Sequence, residues 1–254
     1  PITLDGITIT DGETSNTLSN VQDKDEIGRG GGIYSNGVSY IVNRCRFTNN
    51  FAVRGGAIYI RDARLTAINS IFAGNGTVDD PQTVSTYQPP RGGAVYIAGV
   101  SDPPATYAAL YAVNTLWVNN ETSGQGGAIG TNYADGITTA YAPMVSLMNN
   151  TFALNKALNN AIIYHNNLKN NITNTLMWGN VATGANDPGT DETNTNITYS
   201  ASDATDLSEY GSFNIRLSAV NTDVNEPRFA RPSTVAATAG NNAYNCWNPA
   251  AISI

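Results

Sequence analysis

Short runs of alternating apolar and polar residues, punctuated by Gly and Asn, recur along the whole first two thirds of the chain. In Gly55 to Ile60 (GGAIYI) one phase holds Gly56, Ile58 and Ile60, and the other holds Ala57 and Tyr59. Before Phe72 the inward phase holds Leu65, Ala67, Ser70 and Phe72. Alternation with period two over four to eight residues, bounded by turn formers, predicts short β-strands. The Gly-led phrase repeats as GGGIY (Gly30 to Tyr34), GGAIY (Gly55 to Tyr59), GGAVY (Gly92 to Tyr96), GGAIG (Gly126 to Gly130) and NAIIY (Asn160 to Tyr164). A second phrase alternates with it: a large apolar residue with Asn three places on, as Phe47/Asn50, Phe72/Asn75, Trp117/Asn120, Phe152/Asn155 and Met177/Asn180. Asn also stands three places before the apolar residue at Asn69, Asn114, Asn149 and Asn174, whereas Arg44 breaks that column.

The spacings define one unit. Tyr34 to Phe47, Tyr59 to Phe72 and Tyr164 to Met177 are each 13 residues, and Phe47 to Phe72 and Phe152 to Met177 are each 25. The intervals of 45 (Phe72 to Trp117) and 35 (Trp117 to Phe152) are the same unit with insertions, and Ile9 fits the Phe place 38 residues before Phe47. A unit of about 25 residues built from two or three short strands with tight corners is one turn of a parallel β-helix. The expectation is therefore an all-β fold: a single-stranded, right-handed parallel β-helix of six or more coils over residues 1–180, with 181–254 as less regular closing coils and a cap. Leucine-rich repeats share the length, but this chain has few Leu. Stacked coils lie roughly 4.8 Å apart, so recurring residues become ladders. Asn50, Asn75, Asn120, Asn155 and Asn180 are expected as an Asn ladder at a left-handed corner, and Phe47, Phe72, Trp117 and Phe152 as a core spine. Insertions at about 13–29, 77–90, 99–107 and 132–142 are rich in Asp, Pro, Ser and Thr, and are expected as exposed loops.

Composition sharpens this picture. Asn (33), Thr (28) and Gly (24) fill a third of the 254 positions, a mixture that disfavours helices. Only 13% of residues are charged, the net charge is −7, and no Lys/Arg cluster occurs, which excludes a nucleic-acid binder working by phosphate neutralisation. The uncharged stretches carry Thr and Asn throughout, so the chain is not itself membrane-spanning. The chain opens inside a strand-like run, Ile2 to Thr10, which reads as a cut within, or maturation of, a longer protein. Cys45 and Cys246, 201 residues apart, read as free thiols, Cys45 facing inward.

The alternation of GGA(I/V)Y with FxxN resembles the repeats of polymorphic outer-membrane proteins. It is similar also to related right-handed β-helix surface proteins of Gram-negative bacteria, including Bacteroidota. That resemblance implies an exported protein at the cell surface or outside the cell, outer-membrane associated.

Each candidate site has two readings. Tyr34, Tyr59, Tyr96 and Tyr164 share one coil position, opposite in phase to the inward Ile. They form either an exposed aromatic platform for sugar rings or a ladder that supports the sheet or packs beneath an inserted loop. Arg54 and Arg91 precede the glycine pair in successive coils, with Gln125 and Asn159 continuing the column. They either bind a carboxylate of an acidic ligand or pair with Asp79 or Asp80. Asp62, Asp102, Asp135 and His165, with Lys169, follow the Tyr position coil by coil. They could converge as acid and base of a glycosidase or lyase, or hold Ca²⁺; as turn residues they would do neither. His165 is the single histidine, and no GxSxG, HExxH, P-loop or EF-hand pattern is present.

Three functions follow, in order. The first is a non-catalytic, adhesin-like surface module that binds a glycan or a surface protein, with no cofactor. The second is a polysaccharide lyase or glycoside hydrolase. The third is an accessory component of an outer-membrane complex.

Overall fold

The computed structural model describes residues 1–14, 28–78, 90–99, 108–132, 143–165, 170–184, 195–203 and 211–217. The expected insertions and the segment from 218 to 254 therefore lie largely or wholly outside the described residues, as do Cys246, Asp79 and Asp80.

Every strand pairs in parallel with strands from the neighbouring turns of the chain, so the described residues wind through successive rungs. The first rung is β1 (Ile2–Asp5), β2 (Thr8–Thr10) and β3 (Ile33–Asn36). The second is β4 (Tyr40–Asn43), β5 (Arg46–Thr48), β6 (Phe51–Ala52) and β7 (Ile58–Arg61). The third is β8 (Arg64–Ile68), β9 (Ile71–Ala73), β10 (Gly76–Thr77) and β11 (Val95–Ala98). The fourth is β12 (Ala109–Val113), β13 (Leu116–Val118) and β14 (Ile129–Asn132). The fifth is β15 (Met144–Met148), β16 (Thr151–Ala153), β17 (Lys156–Ala157) and β18 (Ile163–Tyr164). The sixth is β19 (Asn170–Thr173), β20 (Leu176–Trp178) and β21 (Val181–Ala182). Then come β22 (Thr195–Thr198) with β23 (Ala201–Ser202), and β24 (Ile215–Arg216).

Corresponding strands stack into three long sheets: a seven-stranded first sheet from β1 to β22, an eight-stranded second sheet from β2 to β24, and a five-stranded third sheet in the order β18-β14-β11-β7-β3. This is the parallel β-helix that the repeat predicts. Such crossovers between parallel strands wind right-handed as a rule.

The interior is built from columns. Phe47, Phe72, Trp117 and Phe152 are fully buried. Their rings stack almost flat, with centroids 4.9, 4.4 and 5.6 Å apart in that order. Beside them runs the Asn ladder. Each Asn Nδ2 donates to the Oδ1 of the next, at 3.0 Å for Asn50 to Asn75, 3.0 Å for Asn75 to Asn120, 2.9 Å for Asn120 to Asn155 and 2.8 Å for Asn155 to Asn180. The second Nδ2 hydrogen goes to the carbonyl of the aromatic residue one rung back, as Asn120 to Phe72 and Asn155 to Trp117. Oδ1 also accepts the backbone N–H of the preceding ladder Asn. Both functions of a buried amide are thus satisfied.

One detail differs from expectation. The left-handed residue is not the ladder Asn but the one before it: Asn49 (φ 54°), Gly74 (65°), Asn119 (56°), Leu154 (57°) and Gly179 (62°). The ladder Asn is held inside by its amide bonds, so the corner's backbone reversal falls on the residue before it, exposed or half-buried in every case but Gly179. The first corner repeats this logic at Arg44, Asn69, Asn114, Asn149, Asn174 and Tyr199, all with φ between 50° and 56°. Arg44 is tolerated there because its guanidinium pairs with Asp5 of the rung before. The residues that follow form a second buried polar column: Cys45 N–H donates to Ser70 Oγ, Thr115 N–H to Asn150 Oδ1, and Thr175 N–H to Ser200 Oγ. Cys45 is a buried free thiol, as its inward phase implies.

At the third corner Gly30, Gly55, Gly92 and Gly126 adopt φ of 61° to 75°. The glycine after each lies against a neighbouring rung's backbone: a Cβ on Gly93 would overlap the Gly127 carbonyl oxygen, and one on Gly127 that of Ala161. The paired glycines exist because one must reverse the chain and the other must touch a backbone.

Candidate functional site

The third sheet carries the most regular outward-facing chemistry. Ile58, Ile60, Val95, Ile97, Ile129 and Ile163 of this sheet belong to the core cluster, and the intervening Tyr59 and Tyr96 do not. Tyr34, Tyr59 and Tyr96 are in register and stack, with centroids 5.6 and 5.3 Å apart. The outward phase holds, but an exposed platform along the ladder does not. Tyr59 and Tyr96 are each only 2% exposed, Tyr164 is half-buried, and Tyr34 alone is open, at 39%.

Part of the cover is the arginine column. Arg29, Arg54, Arg91, Gln125 and Asn159 bridge one another in parallel, rung to rung. Each arginine reaches forward along the axis: Arg29 lies 4.8 Å from the Tyr59 centroid, Arg54 6.0 Å from that of Tyr96, and Arg91 4.6 Å from that of Tyr164. Arg91 spans two rungs because Gly130 takes the intervening Tyr place, pairing with both Tyr96 and Tyr164 while offering no side chain. Its Nε donates to Gln125 Oε1 at 2.8 Å and its Nη2 to the Tyr164 hydroxyl at 3.4 Å. Burial pushes the Tyr59 hydroxyl up to about 12, a rise that the nearby arginines partly offset.

Arg29 heads this column, and sequence reasoning missed it. The signal was present, since Arg29 stands directly before Gly30 as Arg54 stands before Gly55 and Arg91 before Gly92.

The acid/base candidates are not assembled among the described residues. His165 continues the inward column of Ser35, Ile60, Ile97 and Thr131. It is 5% exposed, with Nε2 3.3 Å from Thr195 Oγ1. It is a core histidine, so the expectation that it joins a surface groove is corrected: the position after the Tyr place is buried in every rung below, as Thr131, Ile97, Ile60 and Ser35. Asp62 sits in the turn after β7 at φ 58°, with Oδ2 3.6 Å from Arg61 Nε. Burial raises its carboxyl, and Arg61 pulls it partly back. Asp62 and His165 end strands three rungs apart, roughly 14 Å along the axis at the usual strand spacing. Asp102, Asp135 and Lys169 lie outside the described residues. No group of three His, Cys, Asp or Glu placed to hold a metal occurs among the described residues. Nor is any helix there long and apolar enough to cross a membrane.

Comparison with known proteins gives one match. Residues 44–61, from the corner arginine through β7, fit the Chlamydia polymorphic membrane protein repeat. No curated protein and no solved structure matches the chain. The matched stretch contains Phe47, Asn50, Arg54, the Gly55–Gly56 pair and Tyr59, the same residues that build the spine, the ladder and the arginine–tyrosine column. The protein is thus a parallel β-helix repeat protein in which residues 44–61 are similar to the polymorphic membrane protein repeat.

Proposed function

We propose that this chain is a non-catalytic, adhesin-like module of a bacterial surface protein, a rigid β-helix that presents an outer face to a glycan or a protein on another surface. The likeness extends, on this reading, from residues 44–61 to all five Gly-led phrases, and with it the exported, outer-membrane-associated location. The observation that carries the reading is the likeness of residues 44–61 to a surface-protein repeat, set on stacked rungs whose core is locked by Asn and aromatic ladders. A repeat array builds such an extended surface without any catalytic pocket. His165 spent in the core supports the same conclusion.

The test is incubation of the protein with mixed neutral and acidic polysaccharides, followed by size-exclusion chromatography. Intact glycan co-eluting with protein is the expected result. Shortened glycan would overturn the reading in favour of a lyase or hydrolase and send mutagenesis to Asp62, Asp102 and Asp135. If glycans neither shorten nor co-elute, and the protein instead co-purifies with outer-membrane proteins, the accessory-component reading replaces it.

A further inference from the structure

The column of left-handed residues at the first corner changes character toward its C-terminal end. Asn69, Asn114, Asn149 and Asn174 hold φ of 50° to 56° there, and all four are exposed. Asn takes that conformation more readily than most side chains. In the next rung the place belongs to Tyr199 (φ 51°), and after it to Phe213 (φ 62°). The backbone fixes this register: the Asn174 N–H donates to the Thr198 carbonyl, and the Tyr199 N–H to that of Ser212. The buried polar column beside it continues in step, with the Ser200 N–H donating to Asn214 Oδ1 at 3.0 Å. A bulky aromatic residue held in the left-handed region is strained.

Neither ring offsets that strain by burial. Tyr199 is 57% exposed and Phe213 72%, the two most open large apolar side chains among the described residues. Their centroids lie 4.8 Å apart with 12° between the planes, so Tyr199 backs one face of Phe213. With that face occupied, an exposure of 72% leaves the face directed away from Tyr199 open to solvent. Backbone strain that the core does not use points to a function. The described residues beside the pair on this corner are polar: Ser212 and Asn174 are exposed, and Asn214 is half-buried. A protein interface wants a broader apolar centre than one ring. A single pyranose needs no more than that ring. Where its hydroxyls are equatorial, its C–H bonds gather on the two faces of the sugar, which then stacks flat on a phenyl group and turns its hydroxyls to the polar rim.

We propose that the open face of Phe213 is a stacking site for a neutral, equatorially substituted pyranose, with Tyr199 behind it setting the plane of the ring that the sugar meets. This rests on the binding-module reading and names a contact residue and a ligand class for it, on the first corner rather than on the tyrosines of the third sheet.

The experiment is isothermal titration of the full chain with cellopentaose, whose glucose rings carry only equatorial hydroxyls. The expected result is binding whose affinity does not change with added salt, since a stack on a neutral ring uses no ion pair. Phe213→Asn is expected to weaken it at least about tenfold, the loss of the stacking contact. The same variant is expected to unfold at no lower temperature, because Asn is what four successive rungs carry in this conformation. Tyr199→Asn removes only the backing and is expected to weaken binding less than Phe213→Asn does. Phe213→Trp keeps a flat ring and is expected to keep binding.

No binding of cellopentaose, unchanged affinity in Phe213→Asn, or lost binding in Phe213→Trp overturns the site. A lower unfolding temperature in Phe213→Asn with affinity unchanged also overturns it and assigns the aromatic pair to the fold. So does a dimer in sedimentation velocity that Phe213→Asn returns to monomer, since the ring is then covered by a second copy. If the double variant Tyr199→Asn/Phe213→Asn still co-elutes with intact polysaccharide, the site is wrong and the binding-module reading stands. If the unaltered chain neither binds cellopentaose nor co-elutes with any polysaccharide, the glycan form of that reading falls with the site.

Discussion

Removing one amide from the middle of the Asn ladder should cost far more than removing the exposed Asn beside it. The Asn120 side chain makes four hydrogen bonds: Oδ1 accepts from the Asn75 N–H at 3.1 Å and from Asn75 Nδ2 at 3.0 Å, while Nδ2 donates to the Phe72 carbonyl at 3.0 Å and to Asn155 Oδ1 at 2.9 Å. In Asn120→Ala both Asn75 donors lose their acceptor in a fully buried site. At about 1–3 kcal/mol for each orphaned buried group, plus a small void, the loss is about 3–5 kcal/mol. A domain stable by roughly 5–15 kcal/mol would lose a large share of its margin. Asn119→Gly is the control, because Asn119 is exposed and at φ 56°. Gly accepts that conformation, so near-neutrality is expected. Urea unfolding followed by far-UV circular dichroism measures both. Asn120→Asp sharpens the test by setting a second oxygen against the Phe72 carbonyl and Asn155 Oδ1. Its ionised form is disfavoured in the folded state, so its stability should rise as pH falls and the carboxyl protonates. A loss below about 1 kcal/mol for Asn120→Ala, with an unchanged denaturant slope, would refute the claim that the ladder's amide bonds hold the rungs together.

Three further outcomes follow from the same geometry. Leu154 occupies a left-handed corner position that Asn or Gly fills in four neighbouring rungs. Leu154→Asn should therefore raise stability by about 0.5–1 kcal/mol in the same urea assay, and a loss would mean that its packing on Val118 and Ala153 outweighs the backbone strain. Gly93→Ala drives a Cβ into the Gly127 carbonyl and against that of Glu121; forcing the rungs apart should cost more than about 3 kcal/mol or abolish soluble expression, whereas a well-folded variant would show the rungs to be more loosely stacked. Tyr59 keeps its proton to about pH 12 when folded, against about 10 when unfolded. The unfolded chain thus binds fewer protons between those values, and stability should fall by on the order of 2–3 kcal/mol as pH rises through that window. Absorbance at the phenolate band, followed with unfolding, reads this directly, and a Tyr59→Phe variant should lose that share of the pH dependence.

The repeat, the all-β class, the aromatic spine and the Asn ladder were legible in the sequence for a physical reason. A β-helix places the same position of every turn on top of itself, so whatever suits one rung suits the next and returns at a readable interval. Phe47, Phe72, Trp117 and Phe152 betray their stack that way. Two features were legible but unread: the alignment of NAIIYH with GGAIYI puts His165 in the Ile60 column, and Arg29 precedes its glycine as Arg54 does. What the sequence did not settle is what lies over the outer face. Tyr59 and Tyr96 alternate as an exposed residue would, yet each carries an arginine from the rung before. Arg91 reaches across two rungs only because Gly130 leaves the intervening place open. Alternation reports which side of a sheet a residue faces, since that is a property of one strand. Burial on that side, and the strain taken by the residue before each ladder Asn, depend on contacts between rungs at least 25 residues apart along the chain, and only the tertiary structure decides them.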